Sequence, residues 1–483
     1  VLGETERFAH GTTVATNALL EMKGARAGFL ITRGYRGVYE VRGGTRPAGP
    51  DLVDTFYRKP PLLIAQKETE EIDERLAWDG TVLTSLDEDA VRRAARRFRD
   101  RGVKSIAVCY LFSFMNPAHE TRTAEILREE YPECRVALSS SVLPVIREYR
   151  RISTTMLDAY VGPIVEGYLR RLSGRLREAG VETEQLYIMQ SNGGLMRIDV
   201  ASRYPNQTLL SGPAAGVVFA AALGNAIGEP NLITFDMGGT STDISTVADG
   251  GYAETREGNI SGQDIGTPMM EIRTLGAGGG TIAWIGPDGL LKAGPQSAGA
   301  DPGPACYGRG GTEATVTDAN LVLGYLDPAS FIGGRMRIEP ELAERAIREK
   351  VARPFGLRLE EAALGVIRIV NVNMEVGLRL SLVERGLDPR RFALVAFGGS
   401  GPVHAGRVAR NVGIPRVIVP GYPGISCAMG LMQTDVKHHY LQTRLASLAS
   451  IPLDELNRVF AGLEDKAIAE ARLEGFDPKE VEI

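Results

Sequence analysis

The sequence lacks several features that would define its class at once. None of its apolar runs reaches about 18 residues, so no segment predicts a membrane-spanning helix. Its four cysteines, Cys109, Cys134, Cys306 and Cys427, lie far apart without a CxxC pair, which argues against a disulfide framework or zinc ribbon and favours a reducing, cytoplasmic location. Charge is nearly balanced, with 55 basic and 60 acidic residues, so nucleic acid is not an expected partner.

Two common nucleotide motifs are also missing. The chain has no Gly-Lys pair, and this excludes a GxxxxGK[ST] phosphate loop. Gly276-Ala277-Gly278 lacks the third glycine of the GxGxxG pattern, so a dinucleotide site of the Rossmann type is poorly supported.

Glycine, by contrast, is abundant, at 57 of 483 residues, whereas proline is ordinary at 26. This composition is not typical of linkers and indicates points where the backbone turns sharply or approaches a ligand closely. The glycines cluster after predicted strands, at Met189–Gly194, Phe235–Asp243, Thr274–Thr281 and Ala396–Pro402. Ligands of open α/β sheets bind beyond the carboxyl ends of strands, and phosphates suit backbone N–H groups, so these loops predict a large polar ligand. The alternative is that each loop is only a tight turn.

Strand and helix patterns alternate along the chain and predict an α/β fold. Ser85-Leu86-Asp87-Glu88 has the pattern of a capping box before a helix, and Ile164–Ala179 predicts a long amphipathic helix. A second α/β unit is predicted to begin near Pro230, with the strand Leu232–Phe235. We therefore expect an N-terminal half over 1–229, a C-terminal half over 230–440, and the start of a further region over 441–483.

The most specific local pattern follows that strand. Asp236 ends the strand, Asp243 supplies a second carboxylate nearby, and the residues between them offer backbone and hydroxyl donors: Gly238, Gly239, Thr240, Ser241 and Thr242. Carboxylates and phosphate oxygens are the ligands that Mg²⁺ takes in proteins. This strand–turn–strand resembles the second phosphate loop of the superfamily of actin, heat-shock chaperone and sugar kinase ATPases. Ala396–Pro402 resembles the adenosine loop of the same superfamily.

A closer resemblance covers nearly the whole chain. His10-Gly11-Thr12-Thr13-Val14-Ala15-Thr16-Asn17-Ala18-Leu19 is similar to the N-terminal signature of the hydantoinase A / 5-oxoprolinase family, which includes N-methylhydantoinase A and the nucleotide-binding subunits of acetone and acetophenone carboxylases. Further segments resemble the family in the same order: Gln190–Gly194, Leu210–Gly216, Asp236–Asp243, Gly276–Gly280, Ser297–Gly308, Thr315–Asn320 and Phe397–Ala405.

The resemblance implies an actin-like, RNase H-like ATPase with two α/β halves around a nucleotide cleft, using ATP and Mg²⁺ or Mn²⁺. It implies an enzyme that phosphorylates a small cyclic amide, such as hydantoin, oxoproline or another lactam, for ring opening, together with a hydantoinase B-type partner subunit. Asp236, Asp243 and His10 are the expected catalytic residues, and the two aspartates are also the expected metal ligands. The expected nucleotide-binding residues are Gly238, Gly239, Thr240, Ser241, Thr242, Gly278, Gly279, Gly398, Gly399, Ser400 and Gly401.

The chain departs from the family at its ends. Family members usually carry a first phosphate loop, Asp/Gly-Gly-Thr-Phe-Thr-Asp, before the segment that matches His10–Leu19, and this loop and most of the C-terminal region are absent from the 483 residues. We therefore expect a fragment of a longer chain. An ATP-dependent ketone carboxylase subunit, a small-molecule kinase and a non-catalytic nucleotide-binding subunit remain alternatives.

Several single residues allow two interpretations. Asp318 either caps the helix that follows it or contacts the nucleotide or metal, and Asp301 either caps a turn or lines the cleft. Cys306 is expected to be a structural thiol rather than a nucleophile, since no base is identifiable beside it. His438 and His439 are sequence neighbours that point in different directions, so a metal pair is not expected. Ser211 opens an alanine-rich helix and suits either an anion or simple packing.

Overall fold

The computed structural model of the protein describes residues 3–44, 50–447 and 451–483. These residues form two compact units, and neither unit is continuous in sequence. The first unit comprises the described residues up to Ser211, Glu254–Met269 and those of Asp435–Ile483, and the second comprises Gly212–Ala253 and Met270–Thr434. The chain therefore changes unit at other places than the boundaries predicted at residues 229 and 440.

The part of the chain before the first change of unit contains nine strands and eight α-helices among its described residues. The strands are β1 (Phe8–His10), β2 (Ala27–Thr32), β3 (Thr69–Ile72), β4 (Arg75–Leu76), β5 (Val82–Thr84), β6 (Ser105–Cys109), β7 (Arg135–Leu138), β8 (Leu186–Met189) and β9 (Leu195–Arg197). The helices are α1 (Val14–Leu20), α2 (Val38–Val41), α3 (Pro50–Val53), α4 (Glu88–Asp100), α5 (Ala118–Glu130), α6 (Ser139–Val142), α7 (Glu148–Glu178) and α8 (Ile198–Arg203). Short 3-10 segments lie at Arg42–Gly44, Gln66–Glu68 and Pro205–Thr208.

The remaining elements follow in chain order. The next helix and strands are α9 (Ser211–Ile227), β10 (Leu232–Met237), β11 (Thr242–Ala248), β12 (Gly251–Tyr252), β13 (Glu254–Thr255), β14 (Gly258–Ile260), β15 (Gln263–Ile265), β16 (Met269–Met270), β17 (Arg273–Leu275), β18 (Thr281–Ile285) and β19 (Leu291–Ser297). Then come α10 (Val316–Val322), α11 (Pro340–Ile347), α12 (Arg353–Phe355), α13 (Leu359–Val383), β20 (Ala393–Phe397), α14 (Gly401–Val412), β21 (Arg416–Ile418), α15 (Ser426–Leu431) and α16 (Leu453–Leu473). A π-helical turn spans Arg348–Ala352, and further 3-10 segments lie at Ala305–Tyr307, Pro389–Arg391, Pro423–Ile425 and Pro478–Glu480.

The first unit is built on a parallel four-stranded sheet in the order β3-β2-β6-β7 and on a three-stranded sheet in the order β1-β8-β9. Strands of a sheet that is covered on both faces are apolar on both sides. In β2, Phe29 and Ile31 pack into one apolar cluster with Met156 of α7, whereas Leu30 packs into another with Phe98 of α4. Each face of this sheet therefore has its own core.

Two helices of the first unit differ from the sequence prediction. The capping box predicted at Ser85–Glu88 is wrong, because α4 begins at Glu88 and Asp87 is its N-cap, accepting a hydrogen bond from the Ala90 N–H at 2.8 Å. The helix predicted to begin at Ile164 begins at Glu148 instead and contains Pro163. Its N-terminal half is almost entirely buried, so packing outweighs the hydrogen bond that the proline removes.

The second unit contains a six-stranded sheet that positions the predicted site. Its order is β12-β11-β10-β20-β21, with β17 pairing to β11. β10 is antiparallel to β11 but parallel to β20, so the turn after β10 and the loop after β20 start at the same edge of the sheet. One apolar cluster joins Phe235 of β10 and Leu394 of β20 to Val366 and Met374 of the long helix α13. Within the described ranges, none of the helices is both long and apolar enough to cross a membrane.

Candidate functional site

Two carboxylates lie opposite each other at one end of β10 and β11. Asp236 is the register partner of Asp243 in this antiparallel pair, and residues directly opposite project from the same face of a sheet. Burial raises the pKa of both carboxyl groups, and the charge of Asp236 adds to the rise at Asp243, whose pKa reaches about 7 although Thr274 donates a hydrogen bond to it. The pair therefore favours a bound proton or cation at neutral pH.

The turn between these strands presents its backbone without side-chain cover. It is closed by a hydrogen bond from the Gly238 N–H to the Ser241 carbonyl at 3.0 Å. Gly239 has no positive φ, and a Cβ added to it would meet no atom within 4 Å beyond its chain neighbours. The fold of the chain gives no reason for glycine at this position, whereas close approach of a ligand to the backbone would.

The second glycine loop, Gly276–Gly280, packs directly on this turn. Gly279 N–H donates to the Gly238 carbonyl at 3.0 Å, and Gly280 N–H donates to the Gly239 carbonyl at 2.6 Å. A Cβ on Gly278 would lie 2.7 Å from the carbonyl oxygen of Gly239, so only glycine fits there. The two loops are therefore held as one surface.

The third loop, Gly398–Gly401, follows β20 and packs against Asp236 and the end of β10. Gly398 has a φ of +77°, and a Cβ on it would lie 2.5 Å from a carboxylate oxygen of Asp236. Ser400 N–H donates to the Met237 carbonyl at 2.9 Å, and a Cβ on Gly279 would lie 2.9 Å from the Ser400 hydroxyl oxygen. The predicted nucleotide-binding residues thus all lie in the second unit near the two aspartates. The hydroxyl donor predicted at Thr242 is wrong, because Thr242 is fully buried and donates its hydroxyl to the Ala277 carbonyl.

This arrangement has the chemistry of a phosphate and cation site. Glycine backbone gives N–H groups access to an anion, and α14 begins at Gly401, so the positive end of its dipole lies at the third loop. Among the described residues no group of three or more His, Cys, Asp or Glu side chains could hold a metal ion. The aspartate pair therefore fits a cation that takes its other ligands from phosphate and water, as Mg²⁺ commonly does.

Comparison with known proteins identifies the family. Residues 151–440 match the family model described as hydantoinase/oxoprolinase, and residues 2–131 match the model for the hydantoinase/oxoprolinase N-terminal region. The chain belongs to the hydantoinase/oxoprolinase family. The family and the α/β fold class predicted from the sequence are both confirmed.

Individual relatives of this hydantoinase/oxoprolinase chain cover most of its length. It is 37% identical over 478 residues to the caprolactamase subunit alpha of Pseudomonas jessenii, covering 99% of this chain and 68% of that protein. It is 36% identical over 496 residues to the acetophenone carboxylase gamma subunit of Aromatoleum aromaticum, covering 99% and 67%. Its fold matches nucleotide-free acetone carboxylase with a TM-score of 0.87 at 27% identity, covering 99% of this chain and 69% of that one.

The sequence allows Asp318 either to cap a helix or to contact a ligand, and in the structure it is buried and caps a helix. Thr315 is the N-cap of α10, and Asp318 completes a capping box with it. The carboxylate of Asp318 also accepts hydrogen bonds from the N–H groups of Cys306, at 2.8 Å, and Ala305, at 3.3 Å. Cys306 is fully buried and burial raises the pKa of its thiol, which supports the structural interpretation. In the same helix, Thr317 donates through its N–H to the Gly279 carbonyl at 2.7 Å, so α10 supports the second loop.

His10 belongs to the first unit, unlike the other predicted site residues. Its Nε2 lies 2.6 Å from the Tyr168 hydroxyl of α7, and burial lowers the pKa of the imidazole, so the ring is neutral at pH 7. Ser211, in the same unit, donates its hydroxyl to the Thr12 carbonyl at 2.8 Å and accepts from the Thr12 N–H at 3.2 Å. The Ser211 hydroxyl therefore serves to fix the loop that follows His10.

The two neighbouring histidines face carboxylates, and Asp301, whose role the sequence left open, lies in a turn. His438 Nε2 lies 2.9 Å from Glu474, whereas His439 Nε2 lies 3.6 Å from Glu254, so the two rings face different carboxylates. Asp301 is exposed in a turn closed by the Gly303 N–H and the Ala298 carbonyl at 3.3 Å.

Sequence reasoning missed three contributors to the site. The Cys427 thiol donates to a carboxylate oxygen of Asp236 at 3.1 Å, and the Pro423 carbonyl accepts from the Gly398 N–H at 3.0 Å.

Behind the third loop, buried His404 of α14 bonds to Asn371 at 2.7 Å and to Asn320 at 3.1 Å. Burial lowers the pKa of His404 to about 4, so it is a neutral link between helices. Cys427 and Pro423 come from a part of the chain distant from Asp236 and carry no local pattern that would have revealed them, whereas His404 lies in the Phe397–Ala405 segment that resembles the family.

Gly239 provides a test that separates ligand binding from folding. Gly239→Ala should weaken ATP binding by about 10-fold because the added methyl occupies the space that a phosphate would approach. The midpoint of thermal unfolding should stay within about 2 °C, since that methyl meets no part of the chain. Calorimetric titration with ATP measures the first effect and a thermal melt the second.

Gly406→Ala is the matched control for this prediction. Gly406 lies on α14 of the same unit, and a Cβ on it would also meet nothing within 4 Å. We expect unchanged ATP affinity in this variant. Equal affinity of Gly239→Ala and the wild type would show that the turn does not bind the nucleotide.

Proposed function

We propose that this chain is the nucleotide-binding subunit of an ATP-dependent hydrolase that activates a small cyclic amide for ring opening. The observation that carries the proposal is the convergence of three glycine loops on the Asp236–Asp243 pair. The similarity to a caprolactamase subunit supports a lactam as substrate. The names of that relative and of the acetophenone carboxylase gamma subunit support a partner subunit, and we propose one of the hydantoinase B type.

The chemistry follows from the weakness of an amide as an electrophile. The amide oxygen attacks the γ-phosphorus of ATP, ADP leaves, and the carbonyl carbon becomes part of an O-phosphorylated imidate. Water then adds to that carbon, the C–N bond breaks, and inorganic phosphate and the ring-opened amino acid are released. ATP, lactam and water thus give ADP, phosphate and amino acid.

In this proposal the residues of the chain position and stabilise rather than form covalent bonds. The backbone of Gly238–Thr242 and Gly278–Gly279 holds the phosphates, and Gly398–Gly401 flanks adenosine. Asp236 and Asp243 would hold Mg²⁺ or Mn²⁺, which neutralises charge on the transferring phosphate. Positioned donors and charges supply most of the acceleration of phosphoryl transfer in general. Neutral His10 is able to accept a proton and stays a predicted catalytic residue.

A ketone carboxylase is the second candidate. It is favoured by the TM-score of 0.87 to acetone carboxylase and by the similarity to an acetophenone carboxylase subunit. The two candidates share the phosphorylation of a carbonyl oxygen and differ in the substrate and in the step that follows.

The test is phosphate release from ATP by the chain together with a hydantoinase B-type subunit. Five- to seven-membered lactams and hydantoin should each be compared with acetone or acetophenone plus bicarbonate. Stimulation by a lactam, with one ring-opened amino acid per phosphate, is expected. Stimulation only by a ketone with bicarbonate would favour the carboxylase, a stable phosphorylated product would indicate a kinase, and ATP binding without turnover would indicate a non-catalytic subunit.

A further inference from the structure

One glycine loop singled out in the sequence takes no part in the site of the second unit. Gln190–Gly194 follows β8 in the first unit, at the carboxyl end of the strand that runs parallel to β1. Gln190 and Asn192 line a cavity of about 360 Å³ together with Tyr204, Thr267 and His439. This volume falls in the range of small-molecule sites, and the position beyond a strand end is where such ligands bind.

Gln190 and Asn192 are both 3% exposed, and their side-chain amides are fixed in orientation. Gln190 donates from Nε2 to the Leu195 carbonyl at 3.0 Å and the Lys437 carbonyl at 2.6 Å. Asn192 accepts the Gly194 N–H on Oδ1 at 2.9 Å. These bonds leave Gln190 Oε1 as an acceptor beside Asn192 Nδ2 as a donor.

The acceptor and the donor are joined only weakly to each other. Asn192 Nδ2 lies 3.5 Å from Gln190 Oε1, the upper limit for a hydrogen bond. An amide nitrogen carries two donor hydrogens and an amide oxygen two acceptor sites, so both groups keep unused capacity. A buried donor and acceptor that are poorly satisfied cost free energy, and a ligand that bonds to both removes this cost.

Other polar groups of the cavity add donors. The Thr267 hydroxyl oxygen accepts from Asn206 Nδ2 at 2.6 Å, which leaves its own proton to donate. Burial raises the pKa of Tyr204, so its phenol stays protonated. His439 Nε2 is buried and faces the Glu254 carboxylate at 3.6 Å, which is beyond hydrogen-bond distance, so within the described parts of the chain it makes no hydrogen bond. The cavity is therefore suited to a small molecule with a strong acceptor such as a carbonyl oxygen.

We propose that this cavity binds the cyclic amide, with Gln190 Oε1 accepting the amide N–H and Asn192 Nδ2 donating to the amide C=O. A small ring forces the amide to be cis, so its N–H and C=O lie side by side along one edge, matching the acceptor and donor presented by the two side chains. A ketone has no N–H and would leave Gln190 Oε1 unpaired. The identity of the ligand as substrate rests on the function proposed above, whereas the recognition of a cis-amide edge does not.

The test compares two rings of the same size on the full chain without nucleotide. 2-Pyrrolidinone should bind at least about 10-fold more tightly than cyclopentanone, measured by ligand-observed NMR titration, because only the lactam satisfies both groups. Asn192→Asp should weaken lactam binding by about 10-fold, since it keeps the shape and the acceptor for Gly194 but removes the N–H donor. Equal binding of the two rings would overturn the proposal, as would undiminished lactam binding by folded Asn192→Asp.

Asn116→Asp is the matched control. Asn116 accepts the Ala118 N–H at 3.1 Å in a similar local turn of the same unit but does not line the cavity. We expect it to bind 2-pyrrolidinone as the wild type does. If Asn192→Asp does not fold, Tyr204→Phe replaces it in the test. We expect this variant to bind the lactam several-fold more weakly, and unchanged binding would contradict the proposal.

Failure of this inference and failure of the proposed function give different results. Lactam-dependent phosphate release that survives Asn192→Asp would place the substrate elsewhere and leave the proposed function intact. Selective lactam binding by a chain that does not bind ATP would support the cavity and refute the proposed function.

Discussion

Asp236→Asn should lower lactam-dependent phosphate release by roughly 100- to 1000-fold while leaving thermal unfolding almost unchanged. Asn keeps the shape of the side chain and an oxygen that can still accept the hydrogen bond donated by the Cys427 thiol at 3.1 Å. It removes the negative charge proposed to hold the cation that accompanies ATP. Folding should tolerate the neutral side chain because burial already raises the pKa of Asp236. Phosphate release at saturating ATP and lactam and a thermal melt are the two measurements.

Asp249→Asn is the control for this variant. Asp249 is exposed, follows the opposite end of β11 and has a φ of +51°, a conformation that Asn also adopts. Its activity should match the wild type. Wild-type phosphate release by Asp236→Asn would show that the assigned role is wrong, and equal losses in the two variants would point to the sheet rather than to the site.

The parts of the site that the sequence predicts are those with local patterns. A buried strand that carries Asp236 near its end and leads into Gly238-Gly239 can be recognised within ten residues, and so can Gly398–Gly401 after β20. Their meeting follows from the rule that parallel strands place their carboxyl ends at one edge of a sheet, which β10 and β20 obey. The α/β fold is also predictable from local patterns, because the spacing of apolar residues that marks a strand or a helix is read within a few residues.

The parts that the sequence does not predict depend on contacts between distant segments. Cys427 reaches Asp236 across 191 residues, and Thr317 reaches Gly279 across 38. The start of α7 was misplaced because a proline inside a helix is a local signal for a break, and only the burial of the surrounding turns overrides it. The division into two units could not be predicted from local patterns either, because the chain leaves each unit and returns to it later.

The glycine excess also has more than one cause. At Gly239 the chain leaves room for a side chain. At Gly278 a side chain would collide with the backbone of the neighbouring turn. At Gly398 the positive φ and the nearby Asp236 carboxylate both require glycine. Only the first kind points directly to a ligand. The other two bring the loops close enough to form a single surface, so they support binding through packing.

Asp318→Ala should lower the free energy of unfolding of the chain by about 4 kcal/mol. The carboxylate is fully buried and accepts from the N–H groups of Cys306, at 2.8 Å, Thr315, at 3.0 Å, and Ala305, at 3.3 Å, as well as from the Thr315 hydroxyl at 2.7 Å. Truncation leaves three buried backbone donors without this acceptor. Asp318→Asn should cost about half as much, because its NH₂ group replaces one of the two oxygens. Urea denaturation followed by circular dichroism measures both losses.

Asp327→Ala separates the effect of burial from that of capping. The exposed carboxylate of Asp327 accepts from the Ala329 N–H at 3.0 Å and the Ser330 hydroxyl at 2.7 Å, so its removal should change the free energy of unfolding far less than Asp318→Ala, because water can replace it. ATP binding should weaken in Asp318→Ala but not in Asp327→Ala, since Asp318 holds the start of α10, from which Thr317 bonds to the Gly279 carbonyl at 2.8 Å. If both alanine variants lost the same small amount of stability, Asp318 would be an ordinary helix cap and the glycine loop would not depend on it.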